Sequence, residues 1–313
     1  MTASSASTQR RKRRRIAPAV RGHGVAAVVL LIPALLGFLV FWIYPAIRGF
    51  GYSFTDYNLL NQGKHVGAAN FQAVLTDAQV WRSLKITVIF ALGSVVISLG
   101  LAMLLAALMQ RLRAKTWVRA GLLLPWLVPN VAIALIWAWL LDANVGYLKG
   151  VLDRIGRATN LDFLVNFTFY NSEAALNIVI LIGIWSGVGY TALLLFAGMM
   201  QVPTEYYEAA AIDGASEATM FFRITLPLIR PVIALVVVVS LIGSFQVFDL
   251  VQVGYGNNPI PEVRVIYFYI YQQAFNFLKM GYASAIALLL ALILAALTLV
   301  QLYLLRANRS DLS

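Results

Sequence analysis

Five consecutive residues, Phe245-Gln246-Val247-Phe248-Asp249, set an aromatic ring, an amide and a carboxylate at the end of an uncharged run. In a continuous helix, Phe245, Gln246 and Asp249 fall within an arc of about 100° and can face one cavity together. The combination suits a polyhydroxylated solute. A ring covers the apolar C–H side of a pyranose, while an amide and a carboxylate exchange hydrogen bonds with its hydroxyls between apolar walls. An acid held in hydrocarbon is costly and so implies a role; the alternative is that Asp249 only reaches the outer interface or pairs with a second subunit. Asn130, Trp137, Trp139, Trp185 and Tyr190 are further pathway candidates, although Trp and Tyr serve equally as interfacial anchors and packing groups. Catalysis has little to work with. The chain has no cysteine and two histidines, His23 and His65, far apart and outside the apolar runs, so neither a thiol, a metal site nor a proton relay is expected. No Gly-x-x-x-x-Gly-Lys-Ser/Thr loop is present to cradle ATP phosphates.

A second informative segment runs from Pro203 through Thr204-Glu205-Tyr206-Tyr207-Glu208-Ala209-Ala210-Ala211-Ile212-Asp213-Gly214 to Ile224-Thr225-Leu226-Pro227. Its chemistry predicts a helical hairpin. Thr204 is placed to cap a first helix, Glu205 and Glu208 lie in early turns where the helix dipole favours anions, and Gly214 can take the left-handed conformation that ends it. Ser216 can cap a second helix carrying Met220, Phe221 and Ile224, which Pro227 is expected to break. The small residues 209–211 would let another protein approach the backbone, with the neighbouring aromatics and methionine giving apolar contact area. The residues alone fit equally a docking knob or a loop packed only on its own bundle.

The elements that position these segments follow from composition. Of 313 residues, 61% are hydrophobic and only 12% charged, too apolar for a soluble surface. Six uncharged runs stand out: Val25 to Tyr44, Ile86 to Met109, Ala120 to Leu141, Ala174 to Met200, Val232 to Phe248 and Gly281 to Leu305. At about 1.5 Å per residue most can cross a hydrocarbon core roughly 30 Å thick, and their continuous apolarity argues against alternating barrel strands. The expectation is an all-α membrane protein of six transmembrane helices: a basic tail 1–24, a span region 25–305 holding the 203–230 loop, and a short tail 306–313. With the N-terminus inside, 15 of the 24 Lys and Arg residues, Arg10 to Arg15 among them, fall on the cytoplasmic side and nine outside. This places both termini in the cytoplasm and assigns the basic tail to anionic lipid headgroups rather than nucleic acid, despite the net charge of +11.

Between spans, Tyr52 to Leu84 should be folded, with an amphipathic piece over Phe71 to Leu84, and Val265 to Phe277 is too short to cross and should lie at the outer interface. Pro125 and Pro129 should kink or interrupt the third span. Gly183, Gly187 and Gly189 permit either close helix approach or a loosened fourth span.

The pattern Glu208-Ala209-Ala210, three residues, Gly214, nine residues, Ile224, one residue, Leu226-Pro227 resembles the complete EAA loop of the membrane permeases of bacterial ABC importers. Tyr44-Pro45, Asn70-Phe71, Leu124-Pro125-Trp126, Phe245 to Leu250 and Gly281 to Ala285 resemble its carbohydrate branch, related to the maltose and glycerol-3-phosphate permeases. The likeness covers roughly residues 25 to 305. It departs where that branch often carries a Thr-x-Gly-Gly-Pro turn, since this chain reads Gly254-Tyr255-Gly256-Asn257-Asn258-Pro259. The resemblance implies a type I (MetI-like) permease bundle in a bacterial cell membrane, with ATPase docking through Glu208, Ala209, Ala210, Gly214, Ile224, Leu226 and Pro227. It implies a sister permease, two ATP-binding-cassette subunits carrying ATP and magnesium, an extracytoplasmic solute-binding protein and a sugar cargo, with no cofactor on this chain. Glycerol-3-phosphate or another polar solute is the nearest alternative cargo. An ion-coupled secondary transporter would require intramembrane relays, of which only Asp249 is a member, and a membrane enzyme would require clustered acids or histidines.

Overall fold

The computed structural model describes residues 20–165, 167, 174–256 and 259–307; the Arg10 to Arg15 tail, residues 308–313 and Asn257-Asn258 lie outside them. The described residues form helices, with one isolated antiparallel bridge between Thr55 and His65. The chain divides into two units, residues 1–51 and 52–313.

In the first unit, α1 (Val20–Phe38) passes through a π turn (Leu39–Ile43) into α2 (Tyr44–Tyr52). The expected end at Tyr44 is overrun. The Tyr44 N–H bonds back to the Leu39 carbonyl, and this wider turn takes in Pro45, which has no N–H to donate and needs room against the preceding turn. The span therefore covers Val28–Tyr52.

The second unit begins with a turn-rich segment and a short α3 (Ala69–Thr76), after which Asp77 caps α4 (Ala78–Arg111) by accepting from the Gln79 N–H at 2.8 Å. The expected amphipathic piece from Phe71 to Leu84 is thus split at Asp77, and its second half belongs to the long span. Arg113, at φ +48°, ends α4, with the Ala114 N–H reaching the Met109 carbonyl.

The third apolar run is not one helix. It forms α5 (Thr116–Leu127) and α6 (Asn130–Leu140), bent by 88° at Val128-Pro129, the interruption expected from the prolines. An amphipathic α7 (Tyr147–Thr159) and a short α8 (Asp162–Val165) come next. Lys149 on α7 is buried, donating to the Asp153 carboxylate and the Val165 carbonyl, so its charge is paired and hydrogen-bonded.

The unbroken α9 (Ala175–Met199) is the central helix, packed against α4, α5 and α13. The glycines of this helix differ in their surroundings. A Cβ at Gly189 would lie 1.7 Å from the Leu122 carbonyl oxygen, so α5 sits on bare backbone there, whereas a Cβ at Gly187 would meet no atom of another element within 4 Å. Beyond the 203–228 hairpin, α13 (Arg230–Phe245) and α14 (Asp249–Tyr255) make up the fifth candidate span, α15 (Ile266–Tyr271) runs into a π turn (Gln272–Asn276), and α16 (Met280–Ala307) supplies the last. Among the described residues five helical stretches are long and apolar enough to cross a membrane, and the bent α5–α6 pair makes six when it is counted as one broken span.

Candidate functional site: the 203–228 hairpin and the break in the fifth span

After Met199 the chain turns through Val202-Pro203 into α10 (Thr204–Ile212). The cap expected at Thr204 is absent: Pro203 occupies the N-cap position, and Thr204 is the first helical residue with no side-chain cap bond. The end of α10 agrees with expectation. Gly214 has φ +76°, the Ala215 N–H bonds to the Ala210 carbonyl at 2.9 Å and the Gly214 N–H to the Ala211 carbonyl at 3.1 Å, which satisfies the last carbonyls of the helix. Ser216 then caps α11 (Glu217–Met220), its hydroxyl accepting from the Thr219 N–H at 3.2 Å.

Pro227 does not break the second arm of the hairpin. A π turn (Phe221–Thr225), in which the Leu226 N–H returns to Phe221, leads into α12 (Leu226–Leu228) with Pro227 inside it, the same device as at Pro45. The helix ends two residues later at Ile229, just ahead of Arg230-Pro231.

The hairpin has two sides. Tyr207, Phe221 and Ile224 pack against a cluster containing Met109, Phe196, Met199, Val202 and the fully buried Ile229, and the Tyr207 hydroxyl lies 2.8 Å from Thr225 Oγ1. A surface ion pair, Arg111 to Glu217 at 3.1 Å, adds little because both side chains are mostly exposed. On the other side Tyr206 (54% exposed), Ala209 and Ile212 (87%) form an apolar stripe three residues apart on α10, next to exposed Glu205 and Glu208. Of the residues singled out from the sequence, Glu208, Ala209 and Gly214 are thus at the surface. Ala210, Ile224, Leu226 and Pro227 are half-buried, with Ile224 backing the knob onto the bundle.

The pathway candidates are not brought together. Helix α13 ends at Phe245; Gln246 (φ −98°, ψ 12°) and Phe248 (φ −141°, ψ −56°) leave helical geometry before α14 starts at Asp249. The shared arc expected of one continuous helix is therefore lost. The Phe245 ring is only 3% exposed, packed among Ala91, Ile266, Tyr269 and Ala285, whereas Gln246 is exposed and Asp249 half-buried. Tyr190 is stacked on Trp126 at 4.3 Å between α9 and α5, and Trp137 meets Trp185 edge-on at 5.5 Å, so these rings pack helices; Asn130 opens α6 with its side chain exposed.

Sequence reasoning missed Asp77. Its carboxylate accepts hydrogen bonds from the hydroxyls of Tyr269 (2.8 Å) and Tyr282 (2.6 Å), tying α4, α15 and α16 at one end of the bundle. Partial burial works to raise the Asp77 carboxyl. The hydrogen bonds from Tyr282, Tyr269 and the Gln79 and Val80 N–H groups outweigh it and hold the group below its ordinary 3.8. Burial and the neighbouring Asp77 charge push the Tyr269 hydroxyl up to about 12. An Asp just before a long apolar run was a legible helix start, but partners 192 and 205 residues away were not.

Residues 98–310 match the family of binding-protein-dependent transport system inner membrane components. The chain belongs to this family. Among relatives of the permease, a probable ABC transporter permease of Bacillus subtilis is 31% identical over 306 residues, covering 96% of this chain and 95% of the relative. A sulfoquinovosyl glycerol transport system permease of Agrobacterium fabrum is 32% identical, covering 92% of each. In fold the permease is similar to a chain of a bacterial ABC transporter involved in alginate import, with a TM-score of 0.79 at 23% identity over 93% of this chain and 99% of that one. The all-α type I (MetI-like) bundle expected from the sequence is the observed fold class, and the chain is a multi-pass permease subunit of an ABC importer.

Proposed function

We propose that this permease carries a sugar or sugar-like solute into the cell by alternating access. The α10–α11 knob lies in the cytoplasm and receives the motion of two partner ATPases, which hold ATP and its magnesium. The observation that carries the coupling role is the two-sided hairpin: an exposed stripe of Tyr206, Ala209 and Ile212, closed by Gly214, on a base packed through Tyr207, Phe221 and Ile224 into the cluster around Ile229. A force on the stripe passes to α13 through Ile229 and to α9 through Phe196 and Met199, since close-packed apolar contacts transmit displacement rather than absorb it. Both termini are cytoplasmic on the basic-residue asymmetry, a sister permease completes the pathway, and an extracytoplasmic binding protein delivers cargo.

For the cargo, support comes from the similarity to the sulfoquinovosyl glycerol permease of Agrobacterium fabrum and from the break in the fifth span, where exposed Gln246 and half-buried Asp249 sit beside backbone groups released from helical bonding. Phe245, being buried, supports the site from behind rather than stacking on the solute. The test is to copurify the chain with its ATPase and sister subunits and measure ATP hydrolysis with sugar-loaded binding protein. Stimulation by a loaded sugar is expected; hydrolysis that responds to no sugar, or a chain that binds no ATPase subunit, would overturn the reading.

A further inference from the structure

A cleft of about 840 Å³ opens at the Asp77 end of the bundle, between the turn after α2, the α3 helix, α15 and the start of α16. Its volume is within the roughly 300–1,000 Å³ of small-ligand pockets. None of Phe245, Gln246 or Asp249 lines it, so it is separate from the break in the fifth span. We propose that this cleft is a carbohydrate-binding vestibule on the extracytoplasmic face, holding cargo before it reaches the fifth span. The proposal rests on the orientation and cargo class of the proposed transport function.

The lining explains the ligand class. Tyr57, Tyr269 and Tyr282 supply rings, and Tyr57 is fixed by stacking on Tyr52 at 4.4 Å. The polar atoms left over include donors, the Asn58 amide, the Tyr57 hydroxyl and the Lys279 ammonium, and several acceptors. Tyr282 gives its proton to Asp77, leaving oxygen lone pairs; Asn70 spends its Nδ2 on the Ser53 and Thr55 carbonyls, leaving Oδ1; Asp56 uses one carboxylate oxygen on the Lys64 N–H, leaving the other. A cavity of aromatic faces with both acceptors and donors calls for a ligand with an apolar side and many hydroxyls, which donate and accept alike, and this describes a pyranose. Because Asp56 and Asp77 are offset only by Lys279 among the lining charges, an anionic headgroup or organic anion is disfavoured. An unanchored apolar tail would leave the same acceptors without donors.

The absence of native cysteine makes the test direct. Lys279→Cys and Leu60→Cys replace exposed lining residues, and Val145→Cys replaces an exposed residue outside the cleft. In the assembled complex in nanodiscs, without binding protein, each is reacted with an impermeant maleimide. The reaction is repeated with maltose, maltotriose, raffinose, diacetylchitobiose and whichever sugar stimulates the ATPase. A bound sugar should slow both cleft cysteines by about fivefold at about four times its Kd, leaving position 145 unchanged. Tyr57→Ala on the Lys279→Cys background should weaken that protection. A parallel reaction adds unloaded binding protein: if that protects the cleft and no sugar does, the cleft is a protein-docking surface and the proposal is wrong; if nothing protects it, it is also wrong. Either failure leaves sugar-stimulated ATPase activity standing as the separate test of transport.

Discussion

Gly189 on α9 is the position where one methyl group should do most harm. A Cβ there would lie 1.7 Å from the Leu122 carbonyl oxygen and 2.6 Å from its carbon, atoms of the α5 backbone that cannot rotate away. To restore even a tight 3.0 Å contact, α5 would have to retreat by about 1.3 Å, opening the seam that Trp126 and Tyr190 close by stacking. Overpacking of this kind costs about 1–3 kcal/mol or more, and the upper end applies because the obstacle is backbone. Replacing a mid-helix glycine by alanine returns up to about 1 kcal/mol, so the net loss for Gly189→Ala is about 2 kcal/mol. At roughly 2 °C per kcal/mol for a chain longer than 250 residues, the midpoint should fall by about 4 °C. Gly187→Ala, two residues along the same helix where a Cβ would meet no atom of another element within 4 Å, carries only the helix-propensity gain and should not fall. The assay is thermal unfolding of the purified chain in detergent, followed by intrinsic fluorescence. Equal shifts for the two variants, or a stabilised Gly189→Ala, would show that α5 and α9 do not meet through bare backbone.

Four further outcomes are expected. Gly214→Val places a β-branched residue at φ +76°, costing about 1–2 kcal/mol locally, and with Glu208→Lys should yield a permease that inserts but loses the ATPase or its response to loaded binding protein; wild-type stimulated hydrolysis in both would leave the knob a mere connecting loop. Phe245→Ala should destabilise the fold by about 3–5 kcal/mol by opening a cavity, while Asp249→Ala should leave stability intact and lower uptake; normal transport in Asp249→Ala at matched expression removes it from the pathway. Because the folded Asp77 carboxyl is depressed, its stabilisation is present above about 3.8 and drains away as pH falls toward the lower folded value, so Tyr282→Phe should flatten the acid limb of a stability–pH curve, and an unchanged limb counts against the network. Cysteine at Glu217 should resist an impermeant reagent in intact cells and react once the membrane is opened; equal labelling in intact cells reverses the topology.

What the amino-acid order determines in this protein is whatever depends on neighbours in the chain. Apolar runs specify spans because hydrocarbon admits only internally bonded backbone, Gly214 and Ser216 end and start helices through bonds within five residues, and Pro129 imposes its bend on the residue before it. The Glu-Ala-Ala to Leu-Pro spacing was readable because the hairpin that displays it is local. Tertiary packing decided the rest. It turned Phe245 into the core and broke the fifth span at Gln246, so a helical wheel drawn through residues 245–249 placed together side chains that the fold separates. It admitted Pro45 and Pro227 into helices by widening one turn ahead of each, a register shift that intrinsic propensity does not encode. It also selected Gly189 over Gly187 for close approach and joined Asp77 to tyrosines 192 and 205 residues away, because which faces meet is set by the summed packing of every helix at once.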